Sequence, residues 1–336
     1  MTRVTVGGRL HAGFQNLSLA HNRLYGGVGV ALAEPRLDLR AERADVVDCD
    51  DEAATPYVER VVDHLDVPGA TVRVDDELPR HAGLGSGTQL ALAALVAVAG
   101  AYDVEVDPRA RAPALGRGGR SGIGVATFER GGFVVDGGHP TERFTTAPPA
   151  EGEWTVPPVV ARHDLPEEWR FVLAVPDAGP GRSGDEEDES MRSVVERADP
   201  GIAEEIAGLV TQHLLPAAAT GDRAAFGSAV ARLGRLNGAW YADEQGGVYR
   251  PPAGALIDRL SDEPAVAGAG QSSWGPTVYA LTNANYADDV ADAARDALSD
   301  VADGGLAGEP SSDRRSDGGR VIVARPRNEG ARVADE

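Results

Sequence analysis

The sequence contains no lysine: its 32 basic residues are all arginine, set against 53 acids, for a formal net charge of −21 over 336 residues. That absence removes Schiff-base chemistry and any phosphate loop that depends on a lysine ammonium. An anion site in this chain must use arginine, main-chain amides, a helix N-terminus or a metal ion. The single cysteine, Cys49, excludes an internal disulfide and a cysteine-based zinc cluster. No apolar run reaches the roughly 20 residues of a membrane-spanning helix, and the opening MTRVTVGGRLHAGF lacks a signal-peptide core. A soluble, cytoplasmic protein with no membrane partner is expected. Aromatic residues are only 5%, so the core must be built from alanine, valine and leucine. The chain is long enough for two domains. No basic stripe is present to neutralise phosphates, which argues against nucleic acid as a partner. The acids are spread along the whole chain rather than gathered on one segment. That distribution is expected of a protein adapted to concentrated salt, where repulsion is screened within about 3 Å at 1 M.

What is present reads as mixed structure. Residues 2–7 alternate as an opening strand, 28–33, 36–48 and 70–75 read as further strands, and Thr55-Pro56 starts a helix over 55–66. The apolar run 90–102 is a helix, and a polar helix follows Asp107-Pro108. Residues 123–129 and 132–136 read as two strands joined at Arg130-Gly131. The proline-rich stretch 140–158 places a domain boundary near residue 155, giving domains over 1–155 and 156–330. Beyond it come a buried strand at 169–177, an acidic loop, helices at 201–219 and 222–238, an amphipathic helix in ADDVADAARDALSD, and a closing strand in GGRVIVARP. The tail from Arg327 is expected to fray. This mixture without strict alternation predicts an α+β or irregular α/β fold.

The chemistry-bearing stretches are rich in glycine. In PRHAGLGSGTQ (79–89) three glycines at every second position lead directly into a helix. A helix N-terminus offers unpaired N–H groups and partial positive charge, and glycines let an anion approach. Ser86 and Thr88 can cap the helix or contact a phosphate or its metal. On these residues alone, a phosphate loop and an ordinary capped turn are equally good readings. Arg117 and Arg120, in GRGGRSG, present forks matched to phosphate or carboxylate, against the plainer reading of surface pairing with acids. Arg9 and His11 alternate on a strand and so share a face. They suit carboxylate binding or proton transfer, although a structural histidine at a strand end fits nearly as well. His81 touches phosphate or packs, while His21, His64, His139, His163 and His213 have no partner pattern. Trp274, in QSSWGP, can stack on an aromatic ring or belong to the core. The acidic run Asp185–Glu189 reads as a solvated surface rather than a cation site. Asp177 is the better single candidate for a buried acid near the site.

Pro79 followed by Gly83-Leu84-Gly85-Ser86 and an alanine-rich helix resembles the phosphate-loop motif of the GHMP kinase superfamily. GRLHAGF…GGVGVAL resembles its first motif and Gly268-Ala269-Gly270-Gln271-Ser272-Ser273 its last, in the expected order and across nearly the whole chain. Within the superfamily the closer likeness is to the beta-ribofuranosylaminobenzene 5'-phosphate synthase family. It is carried by Arg9-Leu10-His11, Gly26-Gly27-Val28-Gly29, GLGSGTQLALA, GRGGRSGIG and GQSSWGPTVYAL. Gly87 stands where typical kinases of the superfamily have a second serine, a departure that favours the synthases.

The resemblance implies a two-domain GHMP-kinase-like α/β (α+β) fold, with an N-terminal ribosomal-protein-like domain and a C-terminal ferredoxin-like domain. It implies a pentosyltransferase joining phosphoribosyl pyrophosphate to 4-hydroxybenzoate or 4-aminobenzoate, with loss of pyrophosphate and carbon dioxide, for a methanopterin-type carrier. The implied phosphate-binding residues are Gly83, Leu84, Gly85, Ser86, Gly87, Thr88, Gln89, Ser121, Gly270, Gln271, Ser272 and Ser273. Arg9, His11, Arg117 and Arg120 are the implied catalytic residues, Trp274 meets the aromatic substrate, and Ser86 and Asp177 hold Mg²⁺. A homodimer is an expectation of the same kind. The alternative is an ATP-dependent small-molecule kinase of the superfamily. A non-enzymatic binder of phosphate ligands is a third reading.

Overall fold

Two long antiparallel strands, β1 (Thr2–Asn16) and β2 (Arg23–Arg43), form the spine of the first sheet. They belong to a computed structural model that describes residues 1–177, 185–303 and 318–335. After them come β3 (Val47–Cys49), α1 (Thr55–Leu65), β4 (Ala70–Asp76), α2 (Ser86–Ala101), α3 (Pro108–Arg111), α4 (Ile123–Arg130), β5 (Phe133–Asp136), β6 (His139–Pro140) and β7 (Val159–His163). The second half contains β8 (Trp169–Pro176), α5 (Asp185–Arg197), α6 (Pro200–Leu209), α7 (Leu215–Thr220), α8 (Arg223–Gln245), α9 (Ala253–Ser261), β9 (Gly268–Gln271), β10 (Val278–Asn283), α10 (Ala287–Asp303), β11 (Gly319–Ala324) and β12 (Arg332–Asp335).

The first sheet runs β12-β1-β2-β4-β3, with β5 beside part of β2 and β7 beside β5. It is antiparallel except for the β3–β4 pair. The second sheet is antiparallel in the order β11-β8-β10-β9. Val172, Ala174, Val278 and Ala280 pack against α9 and α10 on one of its faces. Helices α6 and α8 pack with Phe171, Leu173 and Leu281 in the largest core, which also takes in Leu10, Val28 and Val30 of β1 and β2 and so joins the two sheets. Alanine, valine and leucine supply most of these contacts, as the shortage of aromatic residues requires.

Helix α2 is apolar on every side and buried along most of its length, which fits a helix enclosed in a core rather than lying on a surface. Among the described residues no helix is long and apolar enough to cross a membrane.

Several expectations change. Residues 123–130 form helix α4 rather than a strand, so there is no hairpin at Arg130-Gly131. A short apolar run does not separate the two states by periodicity, and here burial on α2 and β2 decides for helix. The opening strand continues to Asn16, because β2 pairs with it along its length, with register shifts between Gly7 and Arg9 and between His11 and Gly13. The C-terminal tail is ordered by pairing: Arg332–Asp335 lies beside Thr2–Thr5. The acidic run from Asp185 opens helix α5 instead of forming a loop, and residues 179–184 of that expected loop lie outside the described residues. Strands β7 and β12, both beyond residue 155, also join the first sheet.

Candidate active site

The glycine-rich loop and the last motif are pressed together in front of α2. Gly83 and Gly85 adopt left-handed conformations, with φ of 84° and 82°. A side chain on Gly83 would place its Cβ 2.1 Å from the Ser272 carbonyl oxygen, so only glycine permits this approach. Ser272 is fully buried; its Oγ donates to the Gly83 carbonyl at 2.7 Å and accepts from the His11 amide at 3.1 Å. The Ser273 amide donates to the His11 carbonyl at 3.0 Å, and the Arg9 amide to the Leu84 carbonyl at 2.9 Å. Segments far apart in sequence therefore meet at one point through main-chain and hydroxyl bonds.

Gly85 caps α2, and no side chain makes a capping hydrogen bond to its first turn. The Thr88 and Gln89 amides fold back onto the Gly85 carbonyl, at 3.1 and 3.0 Å. The Ser86 and Gly87 amides have no acceptor among the described residues, so two donors and the positive end of the helix dipole remain for an anion. They open on a cleft of about 460 Å³. Arg9 and Arg117 also line it, along with Tyr57, His81, Ser273 and Trp274. The Arg9 guanidinium is fixed by Nη1, which donates to the Gly83 carbonyl at 2.6 Å. Asp51 and Glu77 are the acids of the wall, and both pair with Arg80.

Arg117 owes its place to Tyr57. Its Nη2 donates to the Tyr57 hydroxyl at 2.8 Å, its guanidinium carbon stands 5.1 Å from the centre of that ring, and its Nε is buried with no acceptor among the described residues. A Cβ on Gly87 would lie 3.1 Å from the Tyr57 hydroxyl and 3.4 Å from Arg117 Nη2. The glycine that departs from the kinase pattern is thus the position over which the arginine reaches the helix start.

Behind β1 lies a buried polar chain. His11 Nε2 is 3.2 Å from Ser121 Oγ, which is 3.2 Å from Asp136 Oδ2. The amides of Gly122 and Gly138 donate to the Asp136 carboxyl at 2.8 and 2.9 Å. Burial, and then the Arg9 charge, pulls the His11 pKa down to about 3, so this ring is neutral at ordinary pH. Burial pushes Asp136 up to about 6 against the amides and the Ser121 hydroxyl that favour its charge. Ser121 has one hydroxyl proton, so it can donate to His11 or to Asp136 but not to both at once.

Several expected residues are placed differently. Leu84 is buried in the core and contributes its carbonyl alone to the loop. Gln89 is fully buried and turns away from the cleft, donating to the Gly124 carbonyl at 2.9 Å. Gly270 lies within the β9–β10 pair opposite Tyr279. Gln271 braces its own turn by donating to the Ser273 and Gly275 carbonyls. Arg120 does not line the cleft; it pairs with Asp188 on α5, and its charge lies near the Tyr25 hydroxyl. Ser121 lies in the buried chain rather than at the helix start. Asp177 is exposed at the end of β8, outside the cleft, so the buried acid near the site is Asp136 instead. His139 stacks on Phe144 in the interior, in keeping with a structural role.

Asp136 and Tyr57 are the residues that sequence reasoning missed. The aspartate ends an apolar strand just before a Gly-Gly pair, which is a signal for a turn as much as for a site. Tyr57 sits in an ordinary helix.

A magnesium ion held by Ser86 and Asp177 does not fit, because the two are apart and the acids that do line the cleft are engaged by Arg80. Among the described residues no three histidine, cysteine or acidic side chains gather to hold a metal. Ser86 remains as a hydroxyl donor beside the free amides.

Residues 54–132 match the GHMP kinases N terminal domain and residues 214–300 the GHMP kinases C terminal domain. The beta-ribofuranosylphenol 5'-phosphate synthase of Methanothermobacter thermautotrophicus is 34% identical over 293 residues, covering 82% of this chain and 87% of that protein. The protein of the same name from Archaeoglobus fulgidus is 34% identical over 294 residues, covering 85% and 89%. The solved mevalonate kinase of L. major, in complex with R-mevalonate, aligns over 98% of this chain and 96% of its own with a TM-score of 0.66. At 14% identity that last likeness concerns the fold alone. The two-domain architecture with mixed helices and sheets is the one expected from the motifs.

Proposed function

This chain belongs to the beta-ribofuranosylphenol 5'-phosphate synthase family within the GHMP kinase superfamily, and from that premise we propose that it is a pentosyltransferase acting on phosphoribosyl pyrophosphate and 4-hydroxybenzoate or 4-aminobenzoate. The product is an aryl ribofuranosyl 5'-phosphate for a methanopterin-type carrier. The bond between the anomeric carbon and the diphosphate oxygen breaks, and the ring carbon bearing the carboxylate bonds to the sugar. Carbon dioxide leaves from that carbon, and the electron pair it gives up restores the aromatic ring. Pyrophosphate departs with the other pair, and no proton is gained or lost overall.

The observation that carries this reading is the uncapped start of α2, with the Ser86 and Gly87 amides in a cleft lined by Arg9 and Arg117. A departing polyanion needs positive groups fixed before the reaction, and these are held by the protein's own bonds rather than by the ligand. Magnesium belongs to the reading as an ion carried on the diphosphate, with the Ser86 hydroxyl as its nearest protein donor. EDTA should therefore raise the KM for phosphoribosyl pyrophosphate and leave the Tm of the ligand-free protein unchanged.

The test is incubation of the full chain with phosphoribosyl pyrophosphate and carboxyl-labelled 4-hydroxybenzoate or 4-aminobenzoate at high salt. Equal release of labelled carbon dioxide and pyrophosphate is expected. Failure with both acids, together with phosphate transfer from ATP to an alcohol, would overturn the reading in favour of a kinase.

A further inference from the structure

Behind Trp274 lies a second, smaller cavity that shares Ser273 and Trp274 with the cleft as a common wall. About 50 Å³ is open in it, against about 460 Å³ in the cleft. One water needs roughly 10–15 Å³ by this measure, so the space admits a single planar ring and excludes a sugar phosphate. Its walls include Phe14, Tyr241, Tyr249 and Trp274, with His11 and Asn237, and among the described residues no charged side chain lines it.

The walls are positioned without any ligand. Asn237 on α8 accepts from the Phe14 amide at 2.7 Å and donates to the Phe14 carbonyl at 2.9 Å, pinning the end of β1. The Tyr241 and Trp274 rings stand 4.5 Å apart, and the His11 ring meets the edge of Phe14 at 4.7 Å. Two features point to an occupant. The Tyr249 hydroxyl is buried with no hydrogen-bond partner among the described residues, an arrangement that is costly unless something supplies one. Gly234 lies in the interior of α8, where glycine costs about 1 kcal/mol relative to alanine. Nothing packs tightly against it: a Cβ there would meet only the Tyr249 ring and hydroxyl, the latter at 3.5 Å. The missing side chain leaves the cavity open next to the unpartnered hydroxyl.

We propose that this cavity receives the ring of the aromatic acceptor. The Tyr249 hydroxyl bonds the 4-substituent, and the carboxylate-bearing carbon faces the cleft past Ser273 and Trp274. The assignment rests on the aryl transfer proposed above and adds the subsite and the residue that selects for a 4-hydroxy or 4-amino group. A neutral, aromatic pocket suits the ring, while the charged end of the acid stays on the side of Arg9.

The experiment is steady-state kinetics on the full chain, giving the KM for 4-hydroxybenzoate and the inhibition constant of benzoate, which lacks the 4-hydroxyl. Wild type should favour 4-hydroxybenzoate over benzoate by about fivefold, the worth of one net hydrogen bond. Tyr249→Phe should abolish that preference. Gly234→Leu, which strengthens the helix and fills the cavity, should raise the acceptor KM tenfold or more with the KM for phosphoribosyl pyrophosphate unchanged. Wild-type turnover with both variants keeping wild-type acceptor constants would overturn the subsite alone. Absence of wild-type turnover with any benzoate would instead remove the transfer reaction on which it rests.

Discussion

The Arg117 guanidinium lies over the ring of Tyr57 and donates to its hydroxyl at 2.8 Å, which holds a planar cation beside the bare Cα of Gly87 at the start of α2. Stacking and a hydrogen bond together restrict a side chain that would otherwise sample many rotamers, so its charge is in place before a ligand arrives.

If Arg117 grips the diphosphate, Arg117→Ala should raise the KM for phosphoribosyl pyrophosphate roughly 10- to 100-fold, the range of a charge-assisted hydrogen bond. Gly87→Ser, which puts a side chain where 3.1–3.4 Å now separates the site of a Cβ from Tyr57 and Arg117, should act in the same direction. The acceptor KM should stay constant in both. Varying each substrate at saturating levels of the other checks this, and an unchanged KM for the sugar donor in Arg117→Ala would reject the role.

Asp136 gives a pH signature. Burial raises its carboxyl from 3.8 to about 6 in the folded protein, so the folded state holds the proton more tightly than the unfolded chain. Its contribution to stability is full below the unfolded value and is lost as pH rises through about 6, a change of roughly 3 kcal/mol. Asp136→Asn removes that titration. Denaturant midpoints of wild type and variant between pH 4 and 7 should converge at the acid end, with the variant gaining relative to wild type as pH rises. A constant difference over that range would show that the carboxyl is not raised.

The charge of −21 carries a third expectation. Many arginine–acid pairs are exposed, among them Arg36–Asp76 and Arg259–Asp300, and each contributes little on its own. The surplus of acids dominates, and its repulsion is relieved by screening. The Tm should rise as potassium chloride is increased from 0.1 to 2 M, followed by differential scanning calorimetry. A Tm that falls with salt would show that the pairs outweigh the surplus.

The sequence by itself determined that a helix follows the glycine-rich stretch, but not its first residue: Ser86 and Thr88 are the expected caps, whereas Gly85 holds that place and Gly87 lies in the first turn. It also determined that any anion site must do without an ammonium group, and it set the order of the three motifs. Long-range packing decided the rest. Periodicity could not tell strand from helix at 123–130, and contact with α2 and β2 made it α4. Local spacing grouped Arg117 with Arg120, yet one turns to the cleft and the other to Asp188. Gln89 continues the glycine-rich motif in the chain but faces the core one residue further round the helix. His11, Ser121 and Asp136 meet across three separate elements, and no rule confined to neighbours in the chain can join them. Local propensity sets which elements form, whereas the face each side chain presents depends on which distant element covers the other.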